Sequence, residues 1–260
     1  MPASGFSACA VIPVYNHERA VGAVVEGVAA QGLPIFLVDD GCSEVCRREL
    51  CRLSEGPLIT LLRHETNRGK GVAVLTGMRE AHKQGFTHAL QIDADGQHTL
   101  ADVGKLVEAA RLFPRHLVCG YPVFDASIPA VRYYGRYLTH AMVWLETLSF
   151  DIRDSMCGLR LYPLDEVMGL AAHAHIGARM DFDTEIIVKL HWRNVLMRWI
   201  PTRVSYPADG VSHFRMFFDN ARMTSLHVRL TLGMLVRLPM LLWRKFTRAS
   251  RGGDERKASA

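Results

Sequence analysis

Two pairs of aspartates follow short apolar runs in the first hundred residues. Asp39 and Asp40 come directly after one run, and Asp93 and Asp95 follow another with one residue between them. A carboxylate pair at the end of a buried strand can reach one Mg²⁺ or Mn²⁺, which proteins usually hold through a few carboxylates plus substrate phosphates. The second pair therefore indicates a metal-bound diphosphate substrate, although an isolated Asp-x-Asp is more often a solvated turn.

A glycine-rich loop precedes a predicted helix. In residues 67–71, Asn-Arg-Gly-Lys-Gly, the backbone amides and Lys70 are placed to meet an anion at the helix N-terminus. The loop has neither the Gly-Lys-Ser/Thr of a Walker loop nor the glycine spacing of a dinucleotide fingerprint. Nicotinamide chemistry and P-loop hydrolysis are therefore disfavoured.

Strand and helix patterns alternate along the chain. We predict strands at residues 8–14, 34–38, 58–63, 88–92, 117–123 and 197–205, and helices at 18–31, 72–84, 131–150 and 181–192. Such alternation predicts an α/β fold, a Rossmann-like, mostly parallel sheet flanked by helices. Ligands of such sheets bind beyond the carboxyl ends of the strands, where the aspartates are expected.

Composition sets the class and the compartment. With 49% hydrophobic and 22% charged residues among 260, the chain is globular and neither disordered nor a disulfide scaffold. The six cysteines form no Cys-x-x-Cys pair, and the polar start lacks an apolar signal core, so we expect a reducing, cytoplasmic setting. Cys42, Cys46 and Cys51 are expected to be small residues around a helix and not metal ligands.

The net charge of +5 is concentrated at the C-terminus. Residues 211–260 hold ten Arg and Lys against three Asp and Glu, which leaves the first 210 residues slightly acidic. This distribution favours an anionic surface as the partner over a nucleic acid.

The apolar segment 224–246 carries part of this C-terminal positive charge as regularly spaced arginines. Four arginines at intervals of seven or eight, Arg222, Arg229, Arg237 and Arg244, fall within a sector of about 80° on a helical wheel. They also interrupt the apolar run, so we expect the helix not to cross a bilayer. It is predicted to lie in the membrane interface with its arginines on lipid phosphates. The alternative is a helix packed on the domain with a solvated arginine edge.

The ordered motifs resemble the signature of family 2 glycosyltransferases with the GT-A fold. They are Pro-Val-Tyr-Asn at 13–16 with Glu18, Val-Asp-Asp-Gly at 38–41, the loop 67–71 and Asp-Ala-Asp-Gly-Gln-His at 93–98. Residues 154–160 and 181–186 resemble the branch that includes dolichyl- and polyprenyl-phosphate sugar transferases. The sequence departs from the pattern at His17, inserted before Glu18, and at Cys42, where the family usually has Ser.

The resemblance implies a role for each motif in donor binding. Asp39 would accept a hydrogen bond from the nucleotide base, and Lys70 would meet the donor phosphates. The base pocket would be lined by Pro13, Tyr15 and Glu18, and the metal and diphosphate would be held by Asp93, Asp95 and Gln97. Mg²⁺ or Mn²⁺ would neutralise the leaving nucleoside diphosphate.

The acceptor side is less determined. Asp183 falls in the register of the family's general base, with Glu185 as second choice, but a phosphate acceptor needs no base. Both acidic residues also fit a favourable helix start. Arg160 is a candidate phosphate contact or a surface arginine, and His213 lies in a turn that can reach the acceptor.

The sequence therefore predicts an inverting glycosyltransferase that transfers a sugar from a nucleoside diphosphate sugar to a lipid-linked acceptor. Residues 1–210 would form the GT-A domain, 211–246 a membrane-associating helical segment and 247–260 a disordered tail. The protein would be peripheral on the inner face of the cell membrane, with no nucleic-acid partner. The alternatives are a sugar nucleotidyltransferase and a non-catalytic membrane-lipid-binding module.

Overall fold

The computed structural model describes residues 5–124, 130–204 and 216–258. The strands are β1 (Ala8–Val14), β2 (Ile35–Asp40), β3 (Ile59–His64), β4 (His88–Gln91), β5 (Leu117–Phe124), β6 (Arg160–Pro163) and β7 (Met197–Val204). The helices are α1 (Val21–Ala29), α2 (Glu44–Leu53), α3 (Lys70–Lys83), α4 (Val103–Leu112), α5 (Ala130–Thr147), α6 (Leu164–Ala171), α7 (Phe182–Trp192) and α8 (Met216–Ala258).

The strands form one seven-stranded sheet in the order β3-β2-β1-β4-β6-β5-β7. Strands β1, β2, β3 and β4 are parallel to one another, and β5 is parallel to β7. Strand β6 lies between these two groups and runs antiparallel to both β4 and β5. The predicted mostly parallel, helix-flanked sheet is confirmed. The sequence patterns did not identify β6, because four residues are too few to establish a strand period.

The core has two layers because the sheet is covered on both faces. Along β1 and β2, alternate residues point to opposite faces, as a pleated strand requires. Val11 and Val38 belong to the cluster that packs on α3 and α7, while Ile12 and Leu37 pack towards α1, α2 and α4. Every residue of β2 is buried, so the strand positions its final aspartates rigidly.

Helix α8 packs against α5 and α7 through Leu226, Leu230, Met234 and Leu241. The helix assignment continues to Ala258. The disordered tail expected from residue 247 stays a prediction. Within the part of α8 from Phe218 to Thr247, one window of 18 residues has the mean hydropathy, 1.3, that a membrane span would need.

Three of the four stripe arginines contact α7 or the residue before it. Arg237 stacks on the Trp192 ring at 4.7 Å, and Arg244 donates to the Trp192 carbonyl oxygen at 2.8 Å. Arg229 approaches two carboxylates at the start of α7. Arg229 and Arg237 are also exposed, so the exposed surface of α8 carries arginines beside apolar side chains. The contact of the stripe with lipid phosphates stays a prediction.

Candidate active site

The Asp93 and Asp95 carboxylates lie just beyond the carboxyl end of β4, where the sequence placed them. Asp95 Oδ1 accepts a hydrogen bond from the backbone amide of Gln97 at 3.0 Å, which turns the chain at the strand exit. These residues face a cavity whose described lining is Asp93, Asp95, Gln97, His98, Pro122, Arg136, Met156, Cys157, Gly158 and Val204. Gly158 is required because any Cβ there would collide with the Asp93 carboxylate.

Lys70 is the first residue of α3 and lies between two carboxylates. Its Nζ donates to Asp93 Oδ2 at 2.9 Å and to Asp183 Oδ2 at 2.7 Å. Burial opposes the Lys70 charge, but Asp183 and Asp93 together outweigh it and raise the lysine pKa above its ordinary value. The predicted anion-binding lysine is thus an internal counter-ion of the acidic cluster.

The acidic cluster consists of Asp93, Asp95 and Asp183, and Lys70 is the lysine that contacts it. Burial, followed by the charge of Asp93, raises the pKa of Asp95. Burial also opposes the Asp93 charge, but Lys70 and His98 together outweigh it and lower the pKa of Asp93. Among the described residues, no group of three or more His, Cys, Asp or Glu side chains is arranged to hold a metal ion alone. Two carboxylates and a nearby amide fit a hard cation that substrate phosphates help to coordinate.

Asp183 and Glu185 point to different parts of the molecule. Asp183 accepts hydrogen bonds from Lys70 on one oxygen and from Gln91 Nε2, at 2.7 Å, on the other. Glu185 is two residues further along α7, and it accepts the backbone amide of Gly177 at 2.7 Å. The structure therefore brings Asp183 beside the metal motif and places Glu185 outside the described lining of the cavity.

Arg160 does not occupy either position considered for it. It is fully buried in β6, and its Nη1 donates to the carbonyl oxygen of Asp183 at 2.5 Å. Because β6 is a central strand, its residues are covered on both faces. A surface location is excluded. The phosphate contact stays a prediction, and the buried Nε and Nη2 of Arg160 have no hydrogen-bond partner among the described residues.

Arg136 is the one arginine or lysine in the described lining of the cavity, and no sequence motif indicated it. Its Nε and Nη2 donate to the two oxygens of Asp154 at 2.5 and 2.7 Å. Asp154 also accepts the backbone amide of Cys157 at 2.7 Å. Burial disfavours the Asp154 charge, but His140 and Arg136 outweigh it and hold the pKa of that carboxyl below its usual range. Asp154 was visible only as part of a motif, and no local pattern linked it to Arg136.

The predicted base-binding residue Asp39 is fully buried at the end of β2. Oδ1 accepts the backbone amide of Cys42 at 2.8 Å, and Oδ2 accepts Arg63 Nε at 3.0 Å. Arg47 approaches the same oxygen at 3.7 Å. Both arginines escaped the sequence analysis because one lies on β3 and the other on α2, far from the quoted motifs.

The remaining predicted donor residues lie near the end of β1. Pro13 is buried in the strand, Tyr15 is half-buried, and one Glu18 carboxylate oxygen is buried without a hydrogen-bond partner among the described residues. His98 lines the cavity, and its buried Nδ1 also has no partner in the described part of the chain. His213 lies outside the described residues.

A mostly parallel sheet with a carboxylate pair beyond its central strand β4, beside a lysine and a cavity, is the arrangement expected of a GT-A type glycosyltransferase. The family model described as Glycosyl transferase family 2 matches residues 9–166, more than half of the chain. The chain belongs to that family. The predicted family and fold are thus confirmed, and membership favours an enzyme over a non-catalytic lipid-binding module.

Named relatives transfer sugars to lipid phosphates. The chain is 25% identical over 170 residues to the UDP-N-acetylglucosamine–dolichyl-phosphate N-acetylglucosaminyltransferase of Methanococcus voltae, covering 58% of this chain and 67% of that protein. It is 24% identical over 220 residues to the dolichyl-phosphate beta-glucosyltransferase of Saccharomyces cerevisiae, covering 73% of this chain and 61% of that protein.

A solved structure shares the fold. Glucosyl-3-phosphoglycerate synthase from Mycobacterium tuberculosis, in complex with Mn²⁺ and UDP-glucose, superposes with a TM-score of 0.67 at 12% identity. The match covers 89% of this chain and 79% of that one.

Proposed function

We propose that the protein is an inverting, metal-dependent transferase that moves a sugar from a nucleoside diphosphate sugar to a lipid-linked phosphate. The observation that carries this proposal is one cavity lined by Asp93, Asp95 and Gln97 together with Arg136. The acidic residues suit a cation and diphosphate, and the arginine suits an anionic acceptor. The dolichyl-phosphate acceptors named for the relatives agree with such a site.

The acidic residues and Arg136 have separate tasks in this mechanism. Asp93, Asp95 and Gln97 would hold a Mg²⁺ or Mn²⁺, which would neutralise the charge of the leaving diphosphate. Arg136, fixed by Asp154, orients the acceptor phosphate so that its oxygen approaches the anomeric carbon from the side opposite the leaving group. The bond from that carbon to the donor phosphate breaks as the new bond forms.

The environment of Asp183 favours a phosphate acceptor over a hydroxyl acceptor. Both carboxylate oxygens already accept hydrogen bonds, and Asp183 is absent from the described lining of the cavity. A hydroxyl acceptor needs a base within hydrogen-bond reach, whereas a phosphate oxygen is already ionised. We therefore assign Asp183 to holding Lys70 and Gln91 in place.

We place the donor pocket near the ends of β1 and β2. The unpaired buried oxygen of Glu18 suits a ribose hydroxyl. Asp39 is fully buried, and its two oxygens already accept hydrogen bonds from Cys42 and Arg63. Its contact with the nucleotide base therefore rests on the family resemblance. Tyr15 and Pro13 complete the pocket in this proposal.

We further propose that the enzyme is peripheral on the cytoplasmic membrane face. The exposed large apolar residues described on α5 and α8 are Tyr134, Tyr137, Leu138, Leu145, Phe218, Val228, Leu232, Leu235, Val236, Leu242, Trp243 and Phe246. Because α5 also carries Arg136, this apolar surface lies next to the acceptor side of the cavity. A spanning α8 would separate its arginines from α7, so the packed helix favours interfacial attachment.

A product assay tests the proposed function. Purified protein is incubated with Mn²⁺, a panel of nucleotide sugars and three acceptors: a polyprenyl phosphate, a hydroxyl-bearing lipid and 3-phosphoglycerate. We expect a glycosylated polyprenyl phosphate by mass spectrometry, lost with excess chelator and in Asp95→Ala. If only 3-phosphoglycerate is glycosylated, the acceptor is a small soluble phosphate and the lipid part of the proposal is wrong. Release of pyrophosphate from a sugar phosphate and a nucleoside triphosphate would indicate a nucleotidyltransferase.

A further inference from the structure

The loop 177–179 supports the segment that carries Lys70. The carbonyl oxygen of Ala178 accepts a hydrogen bond from the backbone amide of Val72 at 3.2 Å. Gly71 packs so closely on the loop that a Cβ would collide with its backbone. The location of Lys70 therefore depends on where the loop 177–179 is held.

Glu185 fixes this loop from inside the protein. One of its carboxylate oxygens accepts the Gly177 amide at 2.7 Å, and the other pairs with Lys189 Nζ at 2.7 Å. Only 2% of the Glu185 side chain is exposed, so its contacts are screened little by water. A buried carboxylate with two fixed partners is a rigid anchor for the loop.

Helix α8 reaches this anchor through a single side chain. Arg229 Nη2 lies 3.6 Å from Glu185 Oε2 and 3.8 Å from Asp181 Oδ2. Asp181 in turn accepts the backbone amide of Arg179, within the same loop, at 3.1 Å. Arg229 thus contacts both carboxylates that hold the loop, and it comes from the helix with the apolar outer surface.

We propose that Glu185 and Arg229 are positioning residues through which α8 determines how firmly Lys70 is held between Asp93 and Asp183. A firmly held ammonium competes with a divalent cation for the Asp93 carboxylate. Loosening the loop would remove that competition, so a divalent cation would bind more tightly. General damage to the site would instead weaken the binding of the divalent cation. Tighter or weaker cation binding therefore distinguishes a loosened lysine from a damaged site. The inference rests on the proposed function only for the location of the metal.

Two measurements on the full-length protein test the proposal. Amide hydrogen exchange of residues 69–73 is recorded without metal, and Mn²⁺ binding is titrated by electron paramagnetic resonance of the free ion. In Arg229→Gln we expect faster exchange at Val72 and Mn²⁺ binding tighter by up to about fivefold, the range for a half-exposed ion pair. Arg229→Lys should restore both properties, and Glu185→Gln should change both in the same direction as Arg229→Gln.

The control variant is Arg237→Gln, which removes an arginine of the same stripe that contacts Trp192 and not the loop. It should leave both properties unchanged. Native exchange at Val72 in Arg229→Gln, or weaker Mn²⁺ binding in that variant, would overturn the proposal. If the native protein binds no Mn²⁺, the metal assignment of the proposed function fails, and the exchange at Val72 alone decides this inference.

Discussion

Replacing Lys70 by methionine should destabilise the protein in a way that a divalent cation partly reverses. The ammonium bridges Asp93 and Asp183, and only 15% of the lysine side chain is exposed. Removing one partner of a buried ion pair costs about 3 to 5 kcal/mol, because the remaining charge is left uncompensated. For a chain of this size, that loss lowers Tm by about 6 to 20 °C.

Mn²⁺ should raise the Tm of Lys70→Met more than that of the native protein. In the variant, the carboxylates of Asp93, Asp183 and the neighbouring Asp95 lack the lysine charge. The metal therefore binds the folded state more tightly. Ligand binding to the folded state alone raises stability by an amount that grows with that affinity. Transfer activity should nevertheless fall, because the ordered arrangement of Asp93 is lost.

Differential scanning fluorimetry with and without Mn²⁺ measures both effects. The matched control is Lys105→Met, whose ammonium also lies 2.7 Å from a carboxylate, that of Asp102, but with 65% of the lysine side chain exposed. An exposed pair contributes about 0.2 to 1 kcal/mol, so Tm should fall by at most about 4 °C. If Lys70→Met is no less stable than the control, or Mn²⁺ stabilises it no more than the native protein, the counter-ion reasoning is refuted.

Three further variants test the cavity and the surface. Arg136→Met should raise the KM for the acceptor about tenfold or more while leaving the KM for the donor near native, because a charge-assisted hydrogen bond contributes about 1.5 to 3 kcal/mol; equal effects on both would contradict this role. The pKa of Asp154 is lowered in the folded state, because His140 and Arg136 together outweigh burial. As the pH drops, the unfolded chain therefore binds the proton first, and the free energy of unfolding decreases once the pH is lower than about 4. Urea unfolding of Asp154→Asn at pH 3 and pH 5 should therefore give a smaller difference than the native protein gives. Val236→Glu should weaken cosedimentation with anionic liposomes, whereas the same substitution of another exposed valine, Val45→Glu on α2, should not; equal binding by both variants would count against α8 as the membrane surface.

Local patterns were sufficient for the parts of the site that depend on one strand and its following loop. Asp93 and Asp95 lie beyond β4 because an apolar run ending in polar residues defines both a strand and its exit. Lys70 was correctly placed at a helix start for the same reason. The family signature added the order of these motifs, and the match over residues 9–166 confirms the family that it indicated.

Contacts between distant segments could not be predicted in this way. Lys70 and Asp183 are 113 residues apart, and the pairing depends on how α3 and α7 cross the sheet. Arg160 resembles a phosphate ligand until β6 is known to lie between β4 and β5, where its side chain is enclosed. Gln91 offered one usable signal, since a polar residue at the end of an apolar strand requires a partner in the folded protein.

The packing of α8 on α7 changes how the enzyme would meet a membrane. An interfacial helix that binds only through arginines on lipid headgroups would rely on charge and would release at high salt. Here Arg229, Arg237 and Arg244 contact α7, and the exposed surface of α8 also carries large apolar side chains such as Trp243. Attachment through apolar burial depends little on salt, because the hydrophobic term is proportional to the area removed from water. Binding to neutral and anionic vesicles should therefore differ less than the charge of the C-terminal segment alone suggests, and raising the salt concentration should leave most of the protein bound.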